Sequence, residues 1–419
     1  MKDKEGDSIV NDGNHYEEID FSCLIDEEEG FVAVAPEIIA KPPPPKRNSK
    51  KDKKKKNEID EDEEFLALMK EQPQKNGSKA KTVIIRNEKP KLNIAQELMD
   101  KYCEMAFEDS TQMGKNPSPN KFIAKRKNWP NTVPASFKVT EENSEHFNIK
   151  LTEYAVSMMK LMEQLEESKN IPMMLTVIHQ EPFAFPIVTA VARVSLYQRE
   201  FSEATDFALR LTYLIQQSLP AKFVFGKSKF VHSEGSKAMQ SIISFLATFA
   251  FRRGCYETST SLWKFGIESF DEDPLEMTFC AAIPALYSGD SRFIARMLES
   301  DRKVNGIPIR MIPDYSICDA LFDIQNEDKL SRIISLWPIA FGNDENDVPV
   351  QLATLQAIFK KRATPFLEKE PYASAIRKAK LNHMNVTEEY DPIYNEWSSY
   401  TRDINVCMVY EEASLPVGS

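Results

Sequence analysis

The clearest indication of the fold in this 419-residue chain is the stretch 236–270, SKAMQSIISFLATFAFRRGCYETSTSLWKFGIESF. Apolar residues recur every three to four positions on both sides of Gly254, which is the pattern of two amphipathic helices. A glycine just after a helix accepts the left-handed conformation that closes the helix C-terminus. We therefore predict helices at 236–252 and 256–269, joined by a tight turn at Gly254. Within this hairpin we expect Cys255, Trp263 and Phe265 to pack in the core.

The same periodicity continues on both sides of the hairpin and predicts an all-α protein. The turn residues Gly254 and Gly289 are 35 positions apart, and Asn326 follows 37 positions later. The surroundings of Arg199 fit the same hairpin, with the interval lengthened by a loop insertion at 220–237. We predict an irregular tetratricopeptide-like α-solenoid, in which each hairpin buries its apolar face on its neighbours. Further helices are expected at 143–168, 186–198, 201–218, 274–288, 290–300, 314–324, 327–336, 349–361 and 371–381.

Composition divides the chain into four parts. Residues 1–90 are predicted to be disordered, because the first 40 carry twelve acids against two lysines and a polyproline run and charged blocks follow. Residues 91–140 are expected to form an extended segment with a short helix that packs on the core. Residues 141–381 form the predicted solenoid. Residues 382–419 are interpreted as a tail, which either caps the solenoid or lies along it.

A polybasic block is the strongest charge feature of the predicted disordered region. Flexible cations attract polyanions by releasing counterions, without reading sequence. Three interpretations remain open: a nuclear localisation signal, a contact to ribosomal RNA, or a solubilising low-complexity segment. The block consists of Lys46, Arg47, Lys50, Lys51, Lys53, Lys54, Lys55 and Lys56.

An acidic run at 58–64 precedes a short apolar cluster. Acidic residues favour a helix N-terminus, and apolar residues at i, i+3 and i+4 share one face of a helix. We interpret the cluster as a docking motif that folds on a partner, with a solvated linker as the alternative. Its residues are Phe65, Leu66, Leu68 and Met69.

Several classes of protein are disfavoured by the sequence. The longest apolar stretch, 242–251, is about half of the roughly 20 residues needed to span a bilayer. No secretory signal is visible, and six scattered cysteines are typical of reduced thiols. We therefore expect an intracellular protein, cytoplasmic with the nucleus as an alternative.

The sequence also offers little catalytic chemistry. The Gly226-Lys227-Ser228 tripeptide has Ala221 where a phosphate-binding loop needs its first glycine, and no histidine has metal-ligand spacing. We therefore expect no catalytic residue, no metal and no cofactor.

Residues 252–277 are similar to the transcription factor 25 family, whose fungal members are called ribosome quality control complex subunit 1. The shared features are an R-R-G-C-x-x-T turn, a later lysine and a D-x-D-P-L ending. Here they are Arg252, Arg253, Gly254, Cys255, Thr258, Lys264, Asp271, Asp273, Pro274 and Leu275.

Other landmarks of the resemblance follow in the same order as in the family. Leu92-Asn93 with Glu97-Leu98, Trp129-Pro130, Ser144-Glu145 with Phe147, and Pro182-Phe183 resemble further family motifs. The chain departs from the family pattern at Ile94, Cys103 and Ala184.

The resemblance implies a non-catalytic subunit that acts on stalled 60S ribosomes. Its implied partners are ribosomal RNA, a listerin-type ubiquitin ligase, the nascent-chain quality control factor, ubiquitin and the valosin-containing AAA ATPase. The subunit would direct proteasome-targeting ubiquitin chains onto the stalled polypeptide and help to recruit the ATPase. A nuclear transcription regulator, suggested by the older family name, and a generic helical-repeat scaffold are the alternatives.

Physical chemistry also assigns structural roles to several of these residues. Trp129, in a loop-like stretch, is expected to anchor the extended segment on the helices. Pro274 is expected in the first turn of the following helix, a position that proline favours. Arg252 and Arg253 fit either a partner-facing pair or cations that favour a helix C-terminus.

Overall fold

The computed structural model describes residues 90–102, 120–168, 170–304, 306–343, 348–382, 386, 392–395 and 397. The polybasic block, the docking motif and most of the C-terminal tail lie outside these ranges. The described part is mostly helical. Its α-helices are α1 (Ile94–Tyr102), α2 (Glu153–Glu167), α3 (Ile171–Gln180), α4 (Phe185–Tyr197), α5 (Phe201–Ser218), α6 (Glu234–Arg252), α7 (Tyr256–Glu268), α8 (Ala282–Ser288), α9 (Ser291–Glu299), α10 (Pro313–Phe322), α11 (Glu327–Leu336), α12 (Val350–Leu367) and α13 (Tyr372–Ala379).

A small sheet stands beside the helices, so the predicted all-α class is too narrow. Strands β1 (Phe137–Glu141) and β2 (His146–Leu151) form an antiparallel pair, and β3 (Lys229–Phe230) joins β2 in parallel. The prediction of one helix over 143–168 is therefore wrong in its first third. Buried Phe147 and Ile149 alternate with less buried neighbours, and this period of two belongs to a strand. A second, two-stranded ribbon joins β4 (Lys303–Val304) to β5 (Ile307–Pro308).

Three helical hairpins close with the same turn, at the positions that the internal repeat predicts. Arg199, Gly254 and Gly289 all have positive φ, at 62°, 72° and 76°. At Gly254 the backbone N–H donates to the carbonyl of Phe251 (3.0 Å), and the next N–H donates to Ala250 (2.8 Å). This pair of bonds is the Schellman motif, which satisfies the last carbonyls of a helix. The same two bonds recur at Arg199 and Gly289.

The predicted turn at Asn326 is of another kind. Asn326 is the N-terminal cap of α11, and its side-chain oxygen accepts from the N–H of Lys329 at 3.1 Å. Its φ is −87°, so it does not take the left-handed conformation of the other three turns. The turn shared by the three hairpins is therefore not used between α10 and α11.

The predicted helix at 274–288 is also wrong in its first half. Pro274 lies in a turn, followed by a 3₁₀-helix at Met277–Cys280 and then by α8. The Asp273 carboxylate accepts from the backbone N–H groups of Met277 (2.8 Å) and Thr278 (3.0 Å) and from the Thr278 hydroxyl (2.6 Å). Because a side chain binds these N–H groups, the chain stays in a turn here and the α-helix begins further along the sequence.

The segments that flank the helices are anchored on them by large side chains. Helix α1 packs against α5 and α7. Near the C-terminus, Trp397 is 1% exposed, and its indole N–H donates to the carbonyl of Met311 at 3.1 Å. A helix long and apolar enough to cross a membrane is absent from the described residues.

Candidate interaction surface

The N-terminus of α7 is capped by a carboxylate from far away in sequence. The residue before the helix, Cys255, makes no side-chain cap. Instead, the Glu97 carboxylate on α1 accepts from the backbone N–H groups of Glu257 (3.2 Å) and Thr258 (2.8 Å). An anion is favoured there because free N–H groups and the positive end of the helix dipole point at it.

A lysine on α1 completes this junction. The Lys101 ammonium lies 2.6 Å from Glu97 and 3.2 Å from the carbonyl oxygen of Gly254. It therefore neutralises the capping carboxylate and binds the turn between α6 and α7. Lys91 pairs with Glu257 on the outside of the same junction, and this hydrogen bond raises the pKa of Lys91.

The C-terminus of α7 is bound by cations from two other segments. The Lys229 ammonium donates to the carbonyl of Glu268, and the Arg302 guanidinium donates to the carbonyl of Ile267 at 2.8 Å. Burial lowers the pKa of Lys229. Positive groups are favoured at this end, where unpaired carbonyls and the negative end of the dipole lie. Both ends of α7 are thus tied by distant side chains.

The predicted arginine pair packs between two hairpin turns. The guanidinium of Arg252 lies 5.0 Å from the ring centroid of Tyr197, and that of Arg253 lies 4.7 Å from the ring of Phe201. These two rings flank the turn at Arg199. Cation–π contacts of this kind are worth about 0.5–1 kcal/mol at half-exposed sites. The pair therefore joins the α4–α5 hairpin to the α6–α7 hairpin.

Trp129 is the anchor that the sequence predicts. Its side chain is 4% exposed and meets the rings of Phe183 (5.4 Å) and Tyr213 (5.3 Å) edge to face. Pro130 follows at the rim of a cleft of about 640 Å³ between this loop and helices α3 and α5. The cleft is also lined by Leu175, His179 and Arg210. The tryptophan holds the extended segment against the helices by burial of a large ring.

Two further residues of the signature, Lys264 and Cys255, and the neighbouring rings of Trp263 and Phe265 also make their contacts inside the fold. The Lys264 ammonium lies 2.8 Å from Asp290, which caps α9 through its other oxygen. Cys255, Trp263 and Phe265 are buried, as predicted from their pattern. Each of these contacts joins neighbouring elements, so the signature residues of the α7 region mainly serve the architecture.

The thiols of the helical core are buried. Cys255, Cys280 and Cys318 are buried, and burial raises the pKa of Cys280 to about 12 and that of Cys318 well above its usual value. Thiolates are the reactive form, so Cys280 and Cys318 are unsuited to nucleophilic chemistry near neutral pH. Groups of three or more His, Cys, Asp or Glu that could hold a metal ion are absent from the residues the structure describes.

The Gly226-Lys227-Ser228 tripeptide lies in an aromatic loop. The Ser228 hydroxyl accepts from the N–H of Val224 at 3.0 Å, which closes the loop on itself. The ring of Phe223, in the same loop, stacks on Phe230 at 4.8 Å. The tripeptide thus has a local structural role in loop closure.

Sequence reasoning missed the capping role of Glu97. Cysteine is a poor helix cap, so the weak N-cap at Cys255 was the available signal that another group must bind these N–H groups. Nothing in the sequence pointed to Glu97 as that group, because it lies 161 positions from Thr258. The polybasic residues 46–56 and the docking motif 65–69 fall outside the described ranges.

Comparison with known proteins adds no relative. No protein-family model, no curated protein and no solved structure matches this chain.

Proposed function

We propose that this chain is a non-catalytic adaptor subunit of the ribosome quality control complex and a divergent member of the transcription factor 25 family. One observation carries the proposal: two distant segments that resemble family motifs meet in the fold. Glu97, from the Leu92–Leu98 landmark, caps the helix that begins in the 252–258 signature. Because the two motifs bind each other in this junction, the presence of one motif accounts for the presence of the other.

A second pair of landmarks meets in the same way. Trp129 of the Trp-Pro landmark contacts Phe183 of the Pro-Phe landmark, with ring centroids 5.4 Å apart. These residues are 54 positions apart in sequence. The resemblance thus corresponds to a set of contacts that define one architecture, which supports common descent more than scattered identities do.

In the proposed architecture the hairpins α4–α5, α6–α7 and α8–α9 stack as an irregular tetratricopeptide-like solenoid. Their shared turn supports this arrangement. A solenoid presents an extended surface to protein partners. On the stalled 60S particle it would hold the listerin-type ligase, the nascent-chain factor, ubiquitin and the valosin-containing ATPase near the polypeptide, raising their local concentration by tethering.

The test is sedimentation of the tagged full chain from native lysate on sucrose gradients at low and high salt. We expect co-migration with free 60S particles and ubiquitin conjugates, weakened by salt. Replacement of the lysines of 50–56 by serine should weaken it further, because fewer cations release fewer counterions.

A control variant tests whether the position of the lysines matters. Replacement of the exposed Lys303, Lys361 and Lys369 by glutamine removes three charges elsewhere and should leave co-migration intact, whereas serine at any three lysines of 50–56 should weaken it. If the wild-type chain stays at the top of the gradient at low salt, the ribosomal role is wrong. A signal confined to the nucleus would instead favour a transcription regulator.

A further inference from the structure

Two loops of the folded part are basic and contain no acid. Residues 120–140 carry five cations, and residues 219–233 carry three lysines, with no Asp or Glu in either segment. The whole chain has a net charge of −11, so this is a strong local departure. The cations are Lys121, Lys125, Arg126, Lys127, Lys138, Lys222, Lys227 and Lys229.

The two loops pack against each other. The Asn120 side-chain amide donates to the carbonyls of Pro220 (2.6 Å) and Phe223 (3.2 Å). Next to it, the rings of Phe122 and Phe225 meet edge to face at 5.8 Å. The backbone at Lys121 is therefore brought beside the backbone at Lys222, which lies about 100 positions later in the sequence.

The first loop is held rigidly at both ends of its basic stretch. The buried side chain of Gln216 on α5 accepts from the N–H groups of Phe122 (2.5 Å) and Ile123 (2.9 Å) and donates to the carbonyl of Ile123 (3.1 Å). Trp129 anchors the other end. The basic residues between them are thus presented on a preorganised backbone, which lowers the entropy lost on binding.

Several of these ammonium groups face solvent. Lys121, Lys125, Lys127, Lys222 and Lys227 are exposed. The ammonium groups of Lys127 and Lys227 make no hydrogen bond or ion pair with the residues that the structure describes. We call these five lysines the basic platform.

The adjoining hairpin adds a pair of like charges. Exposed Lys138 on β1 stands directly opposite exposed Lys150 on β2. Like charges across a strand pair destabilise a sheet, so the pair suits a surface that is neutralised from outside.

Acidic groups also lie near the platform, and several of them are paired with cations. Glu141 pairs with Lys222 at 3.0 Å, and Asp206 lies between Arg126 (2.6 Å) and Arg210 (2.7 Å). Burial raises the pKa of Glu203, which lines the cleft beside Lys127. Glu97, Asp100 and Glu257 surround the cleft near Lys121 but face Lys91 and Lys101 there. The five lysines of the platform outnumber the three exposed acids of the adjoining β1–β2 turn, Glu141, Glu142 and Glu145, so this neighbourhood keeps a net positive charge.

We infer that the basic platform binds the phosphate backbone of RNA. Lysine is depleted at protein–protein interfaces, whereas phosphate contacts are made by lysine and arginine. The described residues of the two loops expose a single large apolar side chain, Val224, and no aromatic ring on which a base could stack. Binding is therefore expected to be independent of sequence. The inference rests on the proposed function for the choice of RNA, and of ribosomal RNA, among polymers with a phosphate backbone.

The test measures binding of a fluorescent 20-base-pair RNA duplex to the full chain across a salt series. The background carries serine at Lys46, at Arg47 and at the six lysines of 50–56, so that the polybasic block does not contribute. Combined Lys121→Gln, Lys127→Gln and Lys227→Gln substitutions should weaken binding about tenfold near physiological salt and lower the log–log salt slope by about 2.

The control carries Lys303→Gln, Lys361→Gln and Lys369→Gln, which remove the same charge from exposed positions elsewhere. It should change affinity by less than about twofold, and circular dichroism should show both variants folded. Equal losses in the two variants would overturn the inference, as would unchanged RNA binding with loss of binding to a polyglutamate peptide. RNA binding through the platform without 60S co-migration would leave the inference standing and contradict the proposed function.

Discussion

The hairpin α6–α7 and the pair α2–α3 are built from similar amphipathic sequence but bury it differently. Helix α6 buries thirteen of its nineteen residues, whereas α2 buries three of fifteen. Val156 on α2 and Met173 and Leu175 on α3 are about 40% exposed or more. The first hairpin has neighbours on several sides, and the second covers one side of the described fold. A helical period in the sequence therefore predicts a helix, but it does not predict how many faces of that helix are buried.

The largest expected effect lies in the buried hairpin. Trp263→Ala should lower the free energy of unfolding by about 3–5 kcal/mol, because a fully buried ring leaves a cavity. Leu175→Ala in α3 should cost below about 1 kcal/mol, since that side chain is 39% exposed. Urea denaturation measures both. If Trp263→Ala abolishes folding, Trp263→Phe provides the measurable variant, and equal costs at the two sites would contradict the comparison.

Removal of a helix cap should also cost more stability in the α6–α7 hairpin than in the α2–α3 pair. Glu97→Ala should destabilise the protein by about 2–3 kcal/mol, because it removes a charged acceptor from two buried N–H groups. Thr152→Ala, which removes the local cap of α2, should cost about 1 kcal/mol. Amide exchange at Glu257 and Thr258 should accelerate in the first variant alone. Glu97→Gln retains an acceptor and should lie between wild type and Glu97→Ala; an Ala variant as stable as wild type would exclude the capping role.

How far the sequence predicts this structure depends on where each signal lies. Helices α5 and α11 begin and end at the predicted residues because their periodicity is local, and α11 also has a local cap at Asn326. The strand at 146–151 was missed because its short alternation merges with the period of α2. Pro274 was misplaced because the Asp273 side chain binds the N–H groups that a helix would use. At the candidate site, burial of Trp129 was predictable from its type, but its ring partners and the charge of the paired loops required the tertiary fold.

Turn geometry offers a smaller effect. Gly254→Ala should destabilise by about 1–2 kcal/mol, since φ is +72° and a Cβ is disfavoured there. Arg199→Gly is the reverse change at the equivalent turn, where φ is +62°. It should be stabilising by at most about the same amount, because it relieves left-handed strain but adds the chain entropy of glycine. Thermal unfolding of both variants checks this, and effects of the same sign in the two variants would contradict the equivalence of the turns.

The smallest effect concerns the exposed ion pair at the α1–α7 junction. The hydrogen bond to Glu257 raises the pKa of Lys91 above that of the unfolded chain. Its contribution is therefore full below the unfolded pKa and is lost as pH rises through the folded pKa. Lys91→Gln should cost a few tenths of a kcal/mol at pH 8, a cost that shrinks towards pH 11. Lys303→Gln, at an exposed site, should show no such trend, and a growing cost would contradict the sign.

The cap of α7 by Glu97 has a consequence for synthesis of the chain. The partners are 161 positions apart, so at about 5–20 residues per second the carboxylate emerges roughly 8–30 seconds before the helix it caps. During that interval the apolar side of α1, with Ile94 and Leu98, lacks α7 as a packing surface and can at most contact α5, once α5 has been made. Translation speed, and any factor that shields a nascent apolar helix, would therefore set the yield of native protein more strongly than they would for a chain with only local hairpins.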